Sequence, residues 1–167
     1  MMPPRILIAC IGNIFLGDDG FGTEVARRLA GRPLPPGVVL KDFGIRGVDL
    51  NYALLDPYEL IILVDACARA GEPGSVYLIE PDPLDSNGYG PTPANWDMHG
   101  MNPLSVLRTV KSMGGTRGRI LIVGCEPADL GGEEGRLGLS DPVQSAVDEA
   151  VAMIEGLVSK EAALQAQ

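Results

Sequence analysis

Short apolar runs alternate along the chain with segments whose apolar positions recur every three or four residues. Continuous apolar runs are typical of strands that are covered on both faces of a sheet. The runs predict five strands, at 5–11, 38–43, 59–65, 75–80 and 119–124. The fourth strand is reached through Gly71-Glu72-Pro73-Gly74. Because that connection is too short for a crossover helix, strands three and four are expected to be antiparallel.

Helical periodicity fills most of the intervals between these strands. It predicts helices at 21–30, 48–55 and 103–113, and a last helix that begins at Ser140-Asp141-Pro142. Asn102 and Pro103 are a typical cap and first-turn pair for the third helix. Apolar residues from Val143 to Val158 form one stripe along the last helix, and the tail after Lys160 is expected to fray.

Strands that alternate with helices in this way indicate an α/β fold. The expected architecture is a three-layer sandwich, with a mostly parallel five-stranded sheet and helices on both faces. No repeat or composition shift marks a second domain, so residues 1–167 are expected to form one domain.

Charge and composition narrow the classes of partner. The chain has 167 residues, 22 of them acidic and 13 basic, for a net charge of −9. That charge disfavours binding to nucleic acid or to an anionic membrane surface. No apolar run approaches the ~20 residues that span a bilayer. Three cysteines without a CxxC pair, and the lack of a signal peptide, favour a cytoplasmic protein with reduced thiols.

Polar residues with possible chemistry follow the predicted strands. In a parallel sheet, ligands bind beyond the carboxyl ends of the strands. The residues expected at that edge are Asp18, Asp19, Asp42, Asp65, Glu126 and His99. Asp65 follows a run of apolar residues, so its carboxylate needs a cation, a hydrogen-bond donor or a metal. Asp18 and Asp19 precede Gly20 and also fit a helix cap or turn, and His99 lies in the long loop 81–101.

Several familiar catalytic and nucleotide-binding patterns are missing. The first glycine loop does not supply GxGxxG, and no Gly-Lys-Ser/Thr or G-x-S-x-G occurs, although a dinucleotide-binding domain stays an alternative. Cys67 lies two residues after Asp65 and is a candidate nucleophile, but cysteines at strand ends are usually small core residues. Two aspartates and one histidine at one edge fit a zinc or nickel site that is open to a substrate.

Residues 12–22, with the order GNIFLGDDGFG, resemble the first-loop motif of the hydrogenase maturation endopeptidases. These enzymes process the large subunit of nickel–iron hydrogenases. The resemblance covers nearly the whole chain. Its further segments are Asp42–Gly47, Ile62–Ala66, His99, Gly124–Pro127 and Leu137–Ser140. Cys10 stands where the family often has Gly, and Asp19 stands where it often has Glu.

The resemblance implies that Asp19, Asp65 and His99 are the metal ligands and the catalytic residues. Asp18 is an alternative or an assistant to Asp19, because aspartate reaches about one methylene less far than glutamate. Asp18, Asp42, Gly44 and Gly47 would line the substrate cleft.

The implied substrate is a nickel-loaded hydrogenase large-subunit precursor. Its nickel is the recognition element, and the enzyme removes its C-terminal extension. The competing hypothesis is a non-enzymatic module that binds the same precursor in a nickel-dependent way. The protein itself is expected to be a monomer.

Overall fold

A computed structural model describes residue 2 and residues 5–81, 103–116 and 118–167. Five strands and four helices lie within these ranges, together with one 3-10 turn at Gly17–Gly20. The strands are β1 Ile6–Ile11, β2 Val38–Gly44, β3 Leu60–Ala66, β4 Val76–Ile79 and β5 Arg119–Cys125. The helices are α1 Phe21–Ala30, α2 Gly47–Leu54, α3 Pro103–Ser112 and α4 Asp141–Gln165.

The strands form one sheet in the order β2-β1-β3-β5-β4. Strands β2, β1, β3 and β5 are parallel, and β4 pairs antiparallel with β5. The predicted α/β fold with a mostly parallel five-stranded sheet is therefore confirmed. Strand β4 does run opposite to β3, as expected, but β5 lies between the two.

Side chains alternate between two hydrophobic cores, one on each face of the sheet. On one face, Ile6, Ile8 and Cys10 of β1 pack with α1 and α4. On the other face, Leu7 and Ala9 pack with α2 and α3. All six residues of β1 are buried, which explains why its sequence is a continuous apolar run rather than an alternating one.

The strand order creates a topological switch point between β1 and β3. After β1 the chain passes through α1 to β2, which lies on one side of β1. After β3 it continues to β4 and β5, which lie on the opposite side of β3. Loops that leave neighbouring strands in opposite directions open a crevice at the carboxyl edge of a sheet. The loop after β1 and the end of β3 border this crevice.

Most predicted element bounds agree with the structure to within two residues, but the tail does not. Helix α4 continues to Gln165 instead of fraying after Lys160. Glu161, near this end, is mostly buried and lies 3.7 Å from the guanidinium of Arg119 at the start of β5. This contact packs the last turns of α4 against the sheet.

Some sequence predictions lie outside the described residues, namely those for His99, for Asn102 and for loop 81–101 apart from residue 81. No helix in the described ranges is both long and apolar enough to cross a membrane.

Gly22 sets how closely α1 approaches the sheet. A Cβ atom there would lie 2.2 Å from the carbonyl oxygen of Ile11 and 2.7 Å from that of Val64. We expect Gly22→Ala to lower the free energy of unfolding by about 2 kcal/mol, because the helix must move away from two strand ends. Gly156→Ala is the control, since a Cβ in that exposed part of α4 meets no described atom within 4 Å.

The control variant is expected to gain about 0.5–1 kcal/mol from helix propensity alone. Urea denaturation of both variants checks the pair. Equal effects of the two substitutions would contradict the close approach of α1 to the sheet.

Candidate active site at the carboxyl edge of the sheet

Three of the predicted acidic residues lie around the ends of β1, β2 and β3. Asp42 of β2 pairs in register with Cys10 of β1, and Asp65 is the penultimate residue of β3. Asp19 belongs to the 3-10 turn that follows β1, and this turn contacts β3. The parallel sheet thus brings together residues that are up to 46 positions apart in the chain.

The first loop folds back so that Asp19 returns to the end of β1. The backbone N–H of Asn13 donates a hydrogen bond to Oδ2 of Asp19 at 3.0 Å. Gly12 is needed for this return, because a Cβ there would lie 2.0 Å from the carbonyl oxygen of Asp19. The spacing between the Gly-Asn pair and Asp19 therefore has a structural cause. Gly12 leaves room for the backbone of Asp19, and Asn13 binds its carboxylate.

Asp65 has an unfavourable electrostatic environment. It is only 3% exposed, and within the described structure its hydrogen bond is with the backbone N–H of Ala66 at 2.8 Å. Burial, and then the negative charge of Asp19, raise the pKa of Asp65 well above its usual value, although the Ala66 N–H opposes the shift. The fold thus places two acidic side chains close enough to repel each other at the switch point.

The cysteines are unsuited to nucleophilic catalysis. Cys10, Cys67 and Cys125 are all buried and free. Burial is the main cause that raises the pKa of each thiol, to about 12 for Cys125, and nearby carboxylates add to the shift. A reactive cysteine needs an accessible, stabilised thiolate, so the structure argues against Cys67 as a nucleophile.

Asp42 organises the turn after β2. Its Oδ1 accepts hydrogen bonds from the N–H of Gly44 at 2.9 Å and the hydroxyl of Thr23 at 3.3 Å. Gly44 has a φ of +55°, a conformation that favours glycine, and its carbonyl accepts the N–H of Gly12 at 3.0 Å. Gly47 then begins α2. Asp42, Gly44 and Gly47 therefore border the same edge, and their contact with substrate stays a prediction.

Asp18 is buried and bound within the protein instead of lining a cleft. Its carboxylate is 0% exposed and accepts four hydrogen bonds. Oδ2 accepts the N–H groups of Ala128 and Asp129 and the hydroxyl of Ser140, at 2.8–2.9 Å, and Oδ1 accepts the N–H of Ser140 at 2.7 Å. The placement of Asp18 in the substrate cleft is thus wrong for this structure, because its oxygens already bind the loop after β5 and the start of α4.

Glu126 is also bound by the protein. It accepts the N–H groups of Arg69 at 2.7 Å and Gly71 at 3.1 Å, and the hydroxyl of Tyr77 at 3.1 Å. These bonds hold the connection between β3 and β4 against the end of β5. Glu126 thus lies at the expected edge but supports a loop.

The metal set of Asp19, Asp65 and His99 stays a prediction. Within the described residues, no group of three His, Cys, Asp or Glu side chains is placed to hold a metal ion. Asp19 and Asp65 interact electrostatically, whereas His99 lies outside those residues. Two partners of the acidic residues were not predicted, namely Thr23, which donates to Asp42, and Ser140, which donates to Asp18. Only their positions at helix starts pointed to this edge.

Comparison with known proteins gives the family. The family model described as HycI, hydrogenase maturation protease, matches residues 23–157. A putative hydrogenase maturation protease of Methanocaldococcus jannaschii is 32% identical over 162 residues, which cover 96% of this chain and 100% of the relative. This chain belongs to the hydrogenase maturation protease family. The resemblance found in the first-loop motif is confirmed.

Solved structures agree with this assignment. The hydrogenase 2 maturation peptidase of a Thaumarchaeota archaeon is 31% identical, with a TM-score of 0.67 over 93% of this chain and 98% of that one. The hydrogenase maturating endopeptidase HybD of Escherichia coli has a TM-score of 0.76 over 93% of each chain. At 23% identity, that second likeness is one of fold. The predicted class of enzyme, an endopeptidase of hydrogenase maturation, is confirmed, which disfavours a non-enzymatic module and a dinucleotide-binding domain.

Asp18→Asn is expected to destabilise the protease by about 3 kcal/mol. In either orientation of the asparagine amide, its NH2 group would face N–H or O–H groups that donate to a carboxylate oxygen in the wild type. Two donors that face each other cannot form a hydrogen bond, so buried polar groups lose their partner. Asp148→Asn, at an exposed position paired with Arg28, should cost less than about 1 kcal/mol. Denaturant titrations measure both, and an Asp18 variant as stable as the Asp148 variant would refute the anchoring role of Asp18.

Asp65→Asn is expected to have the opposite effect and to raise the Tm at pH 7. A carboxyl whose pKa is raised by folding costs stability as the pH rises above its unfolded value of about 4, and an amide avoids that cost. The gain in Tm should therefore shrink as the pH falls towards 4. Thermal unfolding from pH 4 to pH 8 checks this, and a variant that is less stable than the wild type at pH 7 would contradict it.

Proposed function

We propose that this protease removes the C-terminal extension of a nickel-loaded large-subunit precursor of nickel–iron hydrogenase. Membership of the hydrogenase maturation protease family supports a hydrogenase precursor as the substrate. The observation that carries the proposal further is the pair of acidic residues at the switch point. Asp65 is buried beside the charge of Asp19, and a divalent cation brought by the substrate would relieve their repulsion.

In this proposal, Asp19, Asp65 and His99 complete the coordination of the nickel in the precursor. Carboxylate oxygens and an imidazole nitrogen are suitable ligands for nickel. Asp19 is the favoured first-loop ligand, because the oxygens of Asp18 already accept four hydrogen bonds from the protein. The enzyme then needs no resident metal, since its acidic pair recognises a precursor that already carries nickel.

Peptide-bond cleavage in this site would use water. A water molecule polarised by the substrate's nickel or by one of the carboxylates attacks the scissile carbonyl carbon, and the amine of the extension leaves with a proton. Burial and the charge of Asp19 raise the pKa of Asp65, and a carboxylate with a raised pKa is a stronger base towards the attacking water. The turn from Asp42 to Gly47 borders the path of the peptide, and Gly44 lets the two backbones come close.

Mass spectrometry of a precursor after incubation with the protease tests this function. We expect the nickel-loaded precursor to lose a C-terminal peptide and the nickel-free precursor to keep its full mass. Cleavage of both forms would reject nickel recognition. Persistence of the full-length nickel-loaded form would reject the proposed cleavage, even if the two proteins bind each other.

Variants of the three ligands test the assignment of roles. We expect Asp19→Ala, Asp65→Asn and His99→Ala each to lower kcat/KM by more than about 100-fold. Residues that only orient a metal ligand typically contribute about 10–100-fold, and the loss of a ligand itself should have a larger effect. Asp148→Ala, at an exposed position on α4, should leave the rate unchanged. Processing at the wild-type rate by the folded His99 variant would remove that residue from the site.

A further inference from the structure

The first loop, which also carries Asp19, and the loop after β5 together display exposed apolar side chains. Phe15 is 63% exposed and Leu137 is 71% exposed. They line a shallow hollow of about 370 Å³ that Glu133 and Glu134 also border. Large apolar side chains that are exposed together mark a binding surface more often than isolated ones do. We call the surface formed by Phe15, Leu137, Glu133 and Glu134 the apolar platform.

The backbone beneath the apolar platform is held in place. The N–H of Arg136 donates to the carbonyl of Phe15 at 2.9 Å, and the N–H of Gly17 donates to the carbonyl of Arg136 at 2.8 Å. A Cβ at Gly135 would lie 2.8 Å from the carbonyl oxygen of Phe15, so the two loops are in close contact. These bonds fix the backbone that carries the two apolar side chains, which reduces the entropy lost when a partner binds.

The apolar platform is continuous with the active-site edge. Phe15 precedes Asp19 by four residues in the same loop, and Asp18 ties that loop to the segment that carries Leu137. A protein seated on this surface therefore contacts the loop that carries Asp19. An endopeptidase must cover that edge with its substrate, which makes the substrate the natural occupant.

Charge selects the kind of segment that fits. The rim carries Glu133 and Glu134, both exposed, and Arg136, whose guanidinium is paired with Asp129 at 2.7 Å. With that cation paired, the two glutamates leave the rim acidic, and the chain as a whole has a net charge of −9. A second copy of this chain, docked about a two-fold axis, would bring the acidic rims against each other. A segment with an apolar side chain flanked by lysine or arginine complements both the hollow and its rim.

We propose that the apolar platform is the docking surface for an apolar and basic segment of the hydrogenase precursor, which is bound there while its cleavage site lies at the acidic pair. The proposal rests on the proposed function for the identity of the occupant. It assigns to Phe15 and Leu137 a role in substrate affinity and none in the chemical step.

Steady-state cleavage of the nickel-loaded precursor tests this role. We expect Phe15→Ser combined with Leu137→Ser to raise KM at least about tenfold and to leave kcat within about twofold, because an aromatic anchor contributes to binding and not to the chemistry. The matched control combines Val39→Ser with Leu78→Ser, which alters exposed apolar residues (42% and 49%) on the two edge strands. The control should keep the wild-type KM, and a wild-type KM in the Phe15 and Leu137 variant would overturn the proposal.

Glu133→Lys combined with Glu134→Lys tests the charge of the rim independently. We expect its KM to rise at 50 mM salt and to approach the wild-type value at 500 mM, where exposed charges are screened. If the KM of this variant at 50 mM salt equals that of the wild type, the proposal that the partner segment is basic is overturned.

Two further measurements separate this proposal from its alternatives. If the wild-type protein binds the precursor without shortening it, loss of binding in the Phe15 and Leu137 variant would support the docking surface while the proposed cleavage fails. Sedimentation velocity of the free proteins tests whether a second copy of the chain occupies the apolar platform. A wild-type dimer that becomes a monomer in the Phe15 and Leu137 variant would overturn the proposal.

Discussion

The position of Asp19 depends on the burial of its neighbour Asp18. Four hydrogen bonds from the loop after β5 and from Ser140 hold the Asp18 carboxylate inside the protein. Because the two aspartates are consecutive in one 3-10 turn, fixing the first also fixes the direction of the second. Asp19 is thus held at the end of β1, where its charge acts on Asp65. Asp18 thus stabilises the loop, and this holds Asp19 in position near Asp65.

Asp65 shows the cost of this arrangement. A buried carboxylate beside another acidic group destabilises a fold, and the surrounding hydrophobic cores must compensate for it. In the proposed role of Asp65 as a nickel ligand, a position at the end of a buried strand is an advantage, because rigid strands hold a ligand more accurately than loops do. Electrostatic strain of this kind is a sign of function, and it makes the site complementary to a cation.

Local patterns were sufficient to predict the fold class and most elements, but not the order of the strands in the sheet. Apolar runs and helical stripes gave the strands and helices, and β1 and β3 show why, since they are covered on both faces. The long-range hydrogen bonds were not predictable. Asp18 and Asp19 are the same residue type side by side, and what distinguishes them is the set of hydrogen bonds that Asp18 accepts from residues 110 to 122 positions away. The end of α4 was misjudged for a similar reason, because Glu161 meets Arg119 only after folding.

X-ray absorption at the nickel edge tests whether the acidic pair binds the nickel of the precursor. The nickel-loaded precursor is measured alone, with a saturating amount of the wild-type protease, and with a saturating amount of the Asp65→Asn variant. We expect the wild-type protease to add oxygen and nitrogen ligands to the nickel, and the variant to change the spectrum less. A nickel spectrum that stays the same when the precursor is fully bound by the wild-type protease would contradict this expectation.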